Sequence, residues 1–215
     1  MIWQNLSPPW RACLEEAWKA YCAGSVPIGA AITDGAGRVV ARGRNCMFEP
    51  AAEGYGLAGN RMAHAEMNAL LALRAWEGDH PMSCTLYTTM EPCPMCIGAA
   101  RMYMVGQVRY AARDPVAGSA PLAAATPFMA RWPVEISGPQ DSILESALLA
   151  VQADFLLRLG TRWARLAEEA DPAFLPGVRL GRRLFASGEL ACLRADGVAV
   201  AEVLEWLVEE LQQEA

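Results

Sequence analysis

Two short segments of this 215-residue chain carry residue types that can do chemistry together: His64-Ala65-Glu66 and Pro92-Cys93-Pro94-Met95-Cys96. Pro94 suits the first position of a helix, where its missing N–H costs nothing. Cys93 then caps that helix and Cys96 lies one turn on, so both sulfurs share a face and can converge on one ion. Free N–H groups at a helix start favour the thiolate form that binds metal. His64 adds an imidazole. Two sulfurs and one imidazole suit Zn2+, and three protein ligands leave the fourth position to water, as in catalytic zinc sites. Zinc lowers the pKa of such a water to about 7. Inside a helix His64 and Glu66 would point about 200° apart; at a helix mouth both can face one pocket. Glu66 then has no need to bind the metal and can carry protons.

Other readings of the same residues are blander. A lone Cys-x-x-Cys can be a redox pair, but here a metal-type partner stands upstream. A closed structural zinc site needs four protein ligands. The spare candidates are His80, Cys84, Cys13, Cys22, Cys46 and Cys192. Cys84 falls in a run that reads as a buried strand, and the rest lack ligand spacing. Glu66 alone would read as a solvated first-turn acid; its place two residues after a ligand histidine argues against that.

The elements that must hold these segments can be read from spacing. Pro8 and Pro9 open a helix that Gly24 stops. Ile28 to Thr33 and Arg38 to Gly43 read as strands joined by Asp34-Gly35-Ala36-Gly37, a hairpin signal. Asn45 to Arg61 is a long polar loop, and loops of that length are often functional. A helix is expected from about Ala65 to Trp76, a buried strand over Cys84 to Thr89, a helix over Pro94 to Tyr103 and a strand over Gln107 to Ala111. Val134 to Ser137 is a candidate last strand, and Ser142 to Leu159 a strong helix. Strands alternating with helices argue an α/β sandwich with a partly parallel sheet. After Gly160 three helices are expected, over Trp163 to Ala170, Gly177 to Ala186 and Val198 to Gln212. The chain thus divides into a zinc-dependent domain, residues 1–160, and a helical C-terminal extension, residues 161–215.

Bulk composition narrows the partners. Net charge is −6 and 53% of residues are apolar. A protein that grips a phosphate backbone usually shows a basic balance or stripe, so a polynucleotide partner is disfavoured. No run approaches the roughly 18–20 apolar residues of a membrane span. The start of the chain does not read as a secretory signal. Seven cysteines, without a disulfide framework, suit a reducing, cytoplasmic setting.

His64-x-Glu66 and Pro92-Cys93-x-x-Cys96 match the signature H-x-E…P-C-x-x-C of zinc nucleobase deaminases. From about Leu14 to Gly160 the sequence resembles the cytidine and deoxycytidylate deaminase superfamily, nearest the branch of tRNA adenosine deaminases, guanine deaminases and fungal-type cytosine deaminases. Further fixed points are Val26-Pro27-Ile28-Gly29-Ala30, Asn45, Gly98-Ala99 and Ala112-Arg113-Asp114. The resemblance implies a three-layer α/β/α sandwich around a five-stranded mixed sheet, and a homodimer. It assigns Zn2+ to His64, Cys93 and Cys96 and the proton shuttle to Glu66. It also assigns hydrogen bonding of the base to Asn45, placement of the base to the Ala65 backbone and the Pro92 carbonyl, and pocket lining to Val26 and Pro27. Asp114 is either a substrate contact or ordinary Asp-Pro turn chemistry. Asn45 has a turn reading too. Phe48 and Tyr55 either stack on a base or anchor their loop.

The substrate is less marked. Gly106 to Gly118 looks most like the tRNA enzymes, while Pro94-Met95 looks more like guanine deaminases. The acidic balance and the helical extension favour a free nucleobase or nucleoside, purine before pyrimidine, over tRNA adenosine. A nucleotide would want a phosphate clamp, for which Arg44, Arg61 and Arg101 are candidates unless they are solvated surface arginines. A non-catalytic zinc scaffold is the third reading.

Overall fold

The computed structural model describes residues 1–51, 57–73 and 80–213. A short helix α1 (Ile2–Asn5) precedes α2 (Pro8–Cys22), followed by β1 (Gly29–Thr33), β2 (Val39–Arg44) and α3 (Ala65–Ala72). Then come β3 (Thr85–Met90), α4 (Pro94–Met102), β4 (Gln107–Ala112), α5 (Pro127–Arg131) and β5 (Glu135–Ser137). Helices α6 (Ser142–Arg158), α7 (Trp163–Ala170), α8 (Leu175–Ser187), α9 (Glu189–Ala195) and α10 (Val200–Gln213) complete the chain. The five strands form one mixed sheet in the order β2-β1-β3-β4-β5. β1 is antiparallel to both β2 and β3, while β4 is parallel to both β3 and β5. The expected α/β/α sandwich is the observed one.

Alternation along β1 assigns the faces. Ala30 and Ile32 join the core beneath α3 and α4, with Leu86 and Val108 from the neighbouring strands. Ala31 points the other way, against Ala12 and Cys13 of α2. All five β1 residues are buried, as a strand covered on both faces requires. Two glycines let helix backbone lie on the sheet. A Cβ at Gly29 would run into the α2 backbone at Cys13 and Ala17, and one at Gly43 into the α3 backbone at Ala65 and Ala69. The second contact sets the height of α3, and with it the position of His64 and Glu66.

The C-terminal helices do not stand apart. Leu144, Leu149 and Phe155 of α6 share one core with Val178 and Leu184 of α8 and with Val203, Leu207 and Leu211 of α10. Trp10 and Leu14 of α2 belong to the same core. Gly177 and Gly181 of α8 press against the Ser146 and Ala150 carbonyls of α6. Helix α6 is thus buried between the sheet and the later helices, which explains why Ser142 to Leu159 is apolar nearly all round.

Several expectations shift. Among the described residues the structure adds α1, α5, α9 and three short 3-10 segments, Pro81–Ser83, Ala120–Ala124 and Pro172–Phe174, each too short for a periodic signal. The helix expected to reach Trp76 is α3, which ends at Ala72; Arg74 and Trp76 lie outside the described residues. His80, a spare ligand candidate, caps the first 3-10 turn through Nδ1, which accepts from Met82 N–H at 3.2 Å. Met90 is buried, whereas Met102 and Met104 are exposed.

Candidate active site

Both expected helix mouths are present. His64 is the N-cap of α3 and Cys93 the N-cap of α4, with Pro94 at the first helical position. The three ligand atoms form a triangle: Cys93 Sγ to Cys96 Sγ is 3.6 Å, and His64 Nδ1 is 3.6 Å from each sulfur. With Zn–S near 2.3 Å and Zn–N near 2.05 Å, an ideal tetrahedral zinc demands about 3.8 Å between sulfurs and about 3.5 Å from sulfur to nitrogen. The observed edges fit that donor set. Among the described residues this is the one His/Cys/Cys group within ligand distance.

Protonation in the triangle points the same way. Cys93 is pushed down to about 4, chiefly by the hydrogen bond it shares with Cys96 and further by that with His64, with burial opposing. Cys96 is pushed up by the bond it shares with Cys93 and by burial. Metal binding to such thiols releases protons.

Glu66 sits in the first turn of α3 and is only 3% exposed. Its Oε1 accepts from Thr88 Oγ1 of β3 at 3.2 Å, while Oε2 is buried without a partner among the described residues. Burial pushes its carboxyl above the usual carboxylate range, with the His64 charge opposing. A buried carboxyl that can hold or release a proton, with one oxygen unclaimed, is equipped for acid–base work. Thr88 was missed from sequence; its signal was a hydroxyl in a buried strand, which must find a partner.

Asn45 is buried beyond the end of β2. Its Oδ1 accepts from Ser25 Oγ at 3.0 Å and from Met47 N–H at 3.1 Å. Ser25 Oγ in turn accepts from Phe48 N–H at 3.2 Å. The turn reading therefore holds for the oxygen, while the Nδ2 amide donates to nothing among the described residues. Asn68 of α3 fastens the same loop. It donates to the Arg44 carbonyl at 3.0 Å and accepts from Leu57 N–H at 3.2 Å. Phe48 lies 6.4 Å from the Phe155 ring, as a loop anchor would. Tyr55 lies outside the described residues.

The remaining expected contacts are less open. Ala65 is buried at the start of α3. Val26 joins the large core, and Pro27 lines a cavity of about 30 Å³ between α2, α6 and α10. The Pro92 carbonyl accepts from Ser119 N–H at 3.0 Å. Asp114 Oδ1 accepts from Val116 and Ala117 N–H at 2.9 and 3.1 Å and from the Trp163 indole at 3.4 Å. Its carboxylate is thus committed to a turn and to α7. Of the arginines, Arg44 pairs with Glu49 and Arg61 is exposed. Arg101 is buried, at 5% exposure, which overturns the surface reading given to it; two aromatic side chains from the region of α5 cover it.

The stretch after β4 borders the cysteine helix and is held from both sides. Glu91, two residues before Cys93, accepts from Ala120 N–H at 3.0 Å and from Asp114 N–H at 3.4 Å. On the outer side, Glu145 of α6 accepts from Arg113 Nε and Nη2 at 2.8 Å each and from Arg113 N–H at 2.9 Å. The Arg113 guanidinium also lies 4.7 Å from the Phe174 ring.

Residues 6–112 match the family model for the cytidine and deoxycytidylate deaminase zinc-binding region. The chain belongs to this deaminase superfamily. It is 41% identical over 95 residues to a tRNA(Ile)-lysidine synthase of Deinococcus radiodurans, a match covering 44% of this chain and 15% of that protein. It is 37% identical over 112 residues to the tRNA-specific adenosine deaminase of Bacillus subtilis, covering 50% and 62%. The chain therefore spans less than two thirds of these relatives' length. A solved structure from work on A-to-I editing by tRNA:A34 deaminases superposes with a TM-score of 0.51 at 28% identity, covering 60% of this chain and 89% of that one. The deaminase match ends at Ala112, so the Arg113–Glu145 and Asp114–Trp163 contacts lie beyond it.

Proposed function

We propose that this chain is a hydrolytic deaminase that removes the exocyclic amino group of a free nucleobase or nucleoside, purine before pyrimidine. The observation that carries the reading is the buried Glu66 carboxyl, one oxygen unclaimed, beside the His64/Cys93/Cys96 triangle. These three residues would hold Zn2+, which supplies the Lewis acidity that makes water a nucleophile at neutral pH. Glu66 takes a proton from the attacking water as its oxygen bonds to the carbon bearing the amino group. It delivers that proton to the adjacent ring nitrogen. In the second half it passes the remaining water proton to the amine, the C–N bond breaks, ammonia leaves and the carbon keeps the water oxygen as a carbonyl. The Nδ2 amide of Asn45 is the donor available to the base, and Ala65 and Pro92 frame it.

The net charge of −6 supports a small substrate. The second reading is tRNA adenosine deamination, favoured by the likeness to the Bacillus subtilis enzyme. In either case residues 1–160 form the deaminase domain, as a homodimer, and residues 161–215 support the stretch after β4. One experiment separates the readings. Zinc-loaded protein is assayed for ammonia release with adenine, guanine and cytosine compounds, free and ribosylated, and with an anticodon stem-loop. Turnover of the small compounds establishes the first reading, inosine in the stem-loop alone the second, and no release from any of them overturns both. Glu66→Gln should lower turnover by about 10²–10⁴-fold while zinc stoichiometry is unchanged.

A further inference from the structure

Arg101 stands in the last turn of α4 and is 5% exposed. Its guanidinium lies over two rings, 4.6 Å from the centre of Phe128 and 5.4 Å from that of Trp132. A guanidinium has five N–H donors in one plane. Among the described residues only Nη2 finds an acceptor, the Phe128 carbonyl at 3.5 Å, and Nε is buried with none. No carboxylate pairs with it among the described residues. Arginine does not escape burial by losing its proton, and an uncompensated buried charge is strongly unfavourable. The aromatic faces and the negative end of α4 offset part of that, but neither satisfies the in-plane donors.

A cavity of about 190 Å³ opens beside this side chain. Arg101, Arg131, Trp132, Met82 and Met104 contribute to its wall, which holds no carboxylate among the described residues. One water takes about 30 Å³ of liquid volume, so a tetrahedral oxyanion with some of its waters fits. Cys96 and Arg101 are five residues apart on α4, about 7.5 Å along its axis, and none of the three ligand residues lines the cavity, so the cavity is separate from the metal triangle.

We propose that this cavity binds a phosphate-type oxyanion, with Arg101 as the buried anchor and Arg131 as the outer cation. The forked guanidinium matches such oxygens in a bidentate way. The phosphate of a small molecule and that of a polynucleotide backbone offer the same group; the acidic net charge favours the small molecule. The site does not depend on the deaminase reading, because its test measures binding and not turnover.

Sodium phosphate is titrated into the zinc-loaded full chain at constant ionic strength and followed by calorimetry. Saturable one-to-one binding is expected, abolished in Arg101→Met and weakened about tenfold in Arg131→Ala, a loss of one exposed charge-assisted contact. Melting curves give a second readout. In chloride, Arg101→Met should melt at or above the wild type, since an apolar chain of similar length replaces an unpaired charge. In phosphate, only the wild type should shift upward, because only it gains ligand. Absence of saturable heat in the wild type, or an equal phosphate shift in Arg101→Met, overturns the proposal. So does Arg131→Ala binding phosphate as tightly as wild type, a readout that stands even if Arg101→Met fails to fold. Displacement of bound phosphate by AMP at lower concentration than by a short RNA, counted per phosphate, assigns the site to a small molecule; the reverse order assigns it to a polynucleotide.

Discussion

The metal triangle and the stretch after β4 both border Cys93, yet they are built in different ways. The triangle uses two helix starts and residues whose chemistry announces them: an imidazole, two thiols and an acid at fixed short spacing. The other wall uses ordinary residues joined at long range. Glu91 reaches Asp114 across 23 positions, Arg113 reaches Glu145 across 32, and Trp163 reaches Asp114 across 49. The first can therefore be read along the chain, and the second only in space. The comparison also separates two kinds of failure: damage to the triangle removes the metal, whereas damage to the far wall should leave it bound and misplace what surrounds it.

The largest effect should come from the triangle. Cys96→Ala leaves two ligands where a catalytic zinc site uses three. Zinc content by atomic emission should fall from one per chain to near zero, and any deaminase activity with it. Retained zinc at full stoichiometry would show that the ion sits elsewhere.

Next is Arg113→Met, which strips the two guanidinium hydrogen bonds from the buried Glu145 carboxylate and leaves it the backbone N–H of residue 113. Removing one member of a fully buried pair costs roughly 3–5 kcal/mol. Arg113 is about one third exposed, and screening lowers the expected loss to about 1–3 kcal/mol. Denaturant unfolding checks the stability loss, and zinc stoichiometry should stay at one. An unchanged midpoint would mean that the wall does not depend on this pair. Trp163→Phe is a finer cut, keeping a ring but deleting the indole N–H to Asp114. A net hydrogen bond of this kind contributes about 0.5–1.5 kcal/mol, and at 3.4 Å the lower half is expected. The KM for whichever substrate proves active should rise more than kcat falls, because the contact orients a loop and no reacting atom.

What the sequence made legible follows the same division. The sheet, its flanking helices and the ligand set follow from period, turn residues and rare side chains. Glu66 was legible because of His64, but the Thr88 hydroxyl that holds it was not, since a threonine in a strand is ordinary until its partner is seen. Asn45 was marked as a base contact, and the structure gives its oxygen to Ser25 and Met47. Both readings apply to one side chain because an amide has two ends. Asp114 was an even choice, and Trp163, from a segment 49 positions away, weights it toward the turn. Arg101 was misread because nothing near it in sequence is acidic or marks burial; Phe128 and Trp132 reach it from another element. The C-terminal helices were read as an extension from their spacing and turns, and the apolar circumference of α6 gives them a surface to pack on.

The smallest effect should lie on the outer face of the extension. Arg182 Nε and Nη2 donate to Glu168 at 2.7 and 3.0 Å, joining α7 to α8. The hydrogen bond from Arg182 holds the Glu168 carboxyl below the usual carboxylate range. A carboxyl depressed in the folded state adds stability above its unfolded pKa and loses it as pH falls through the folded value. Arg182 is 43% exposed and Glu168 27%, so solvent screening confines the pair to a few tenths of a kcal/mol. Glu168→Gln should thus melt slightly below the wild type at pH 7, and the gap should close as the pH drops beneath about 4.5. A gap that widens in acid would reverse the sign of the coupling. A gap as large at pH 7 as that of Arg113→Met would mean that α7 is held to α8 by this surface pair and not by the buried core it shares with α6.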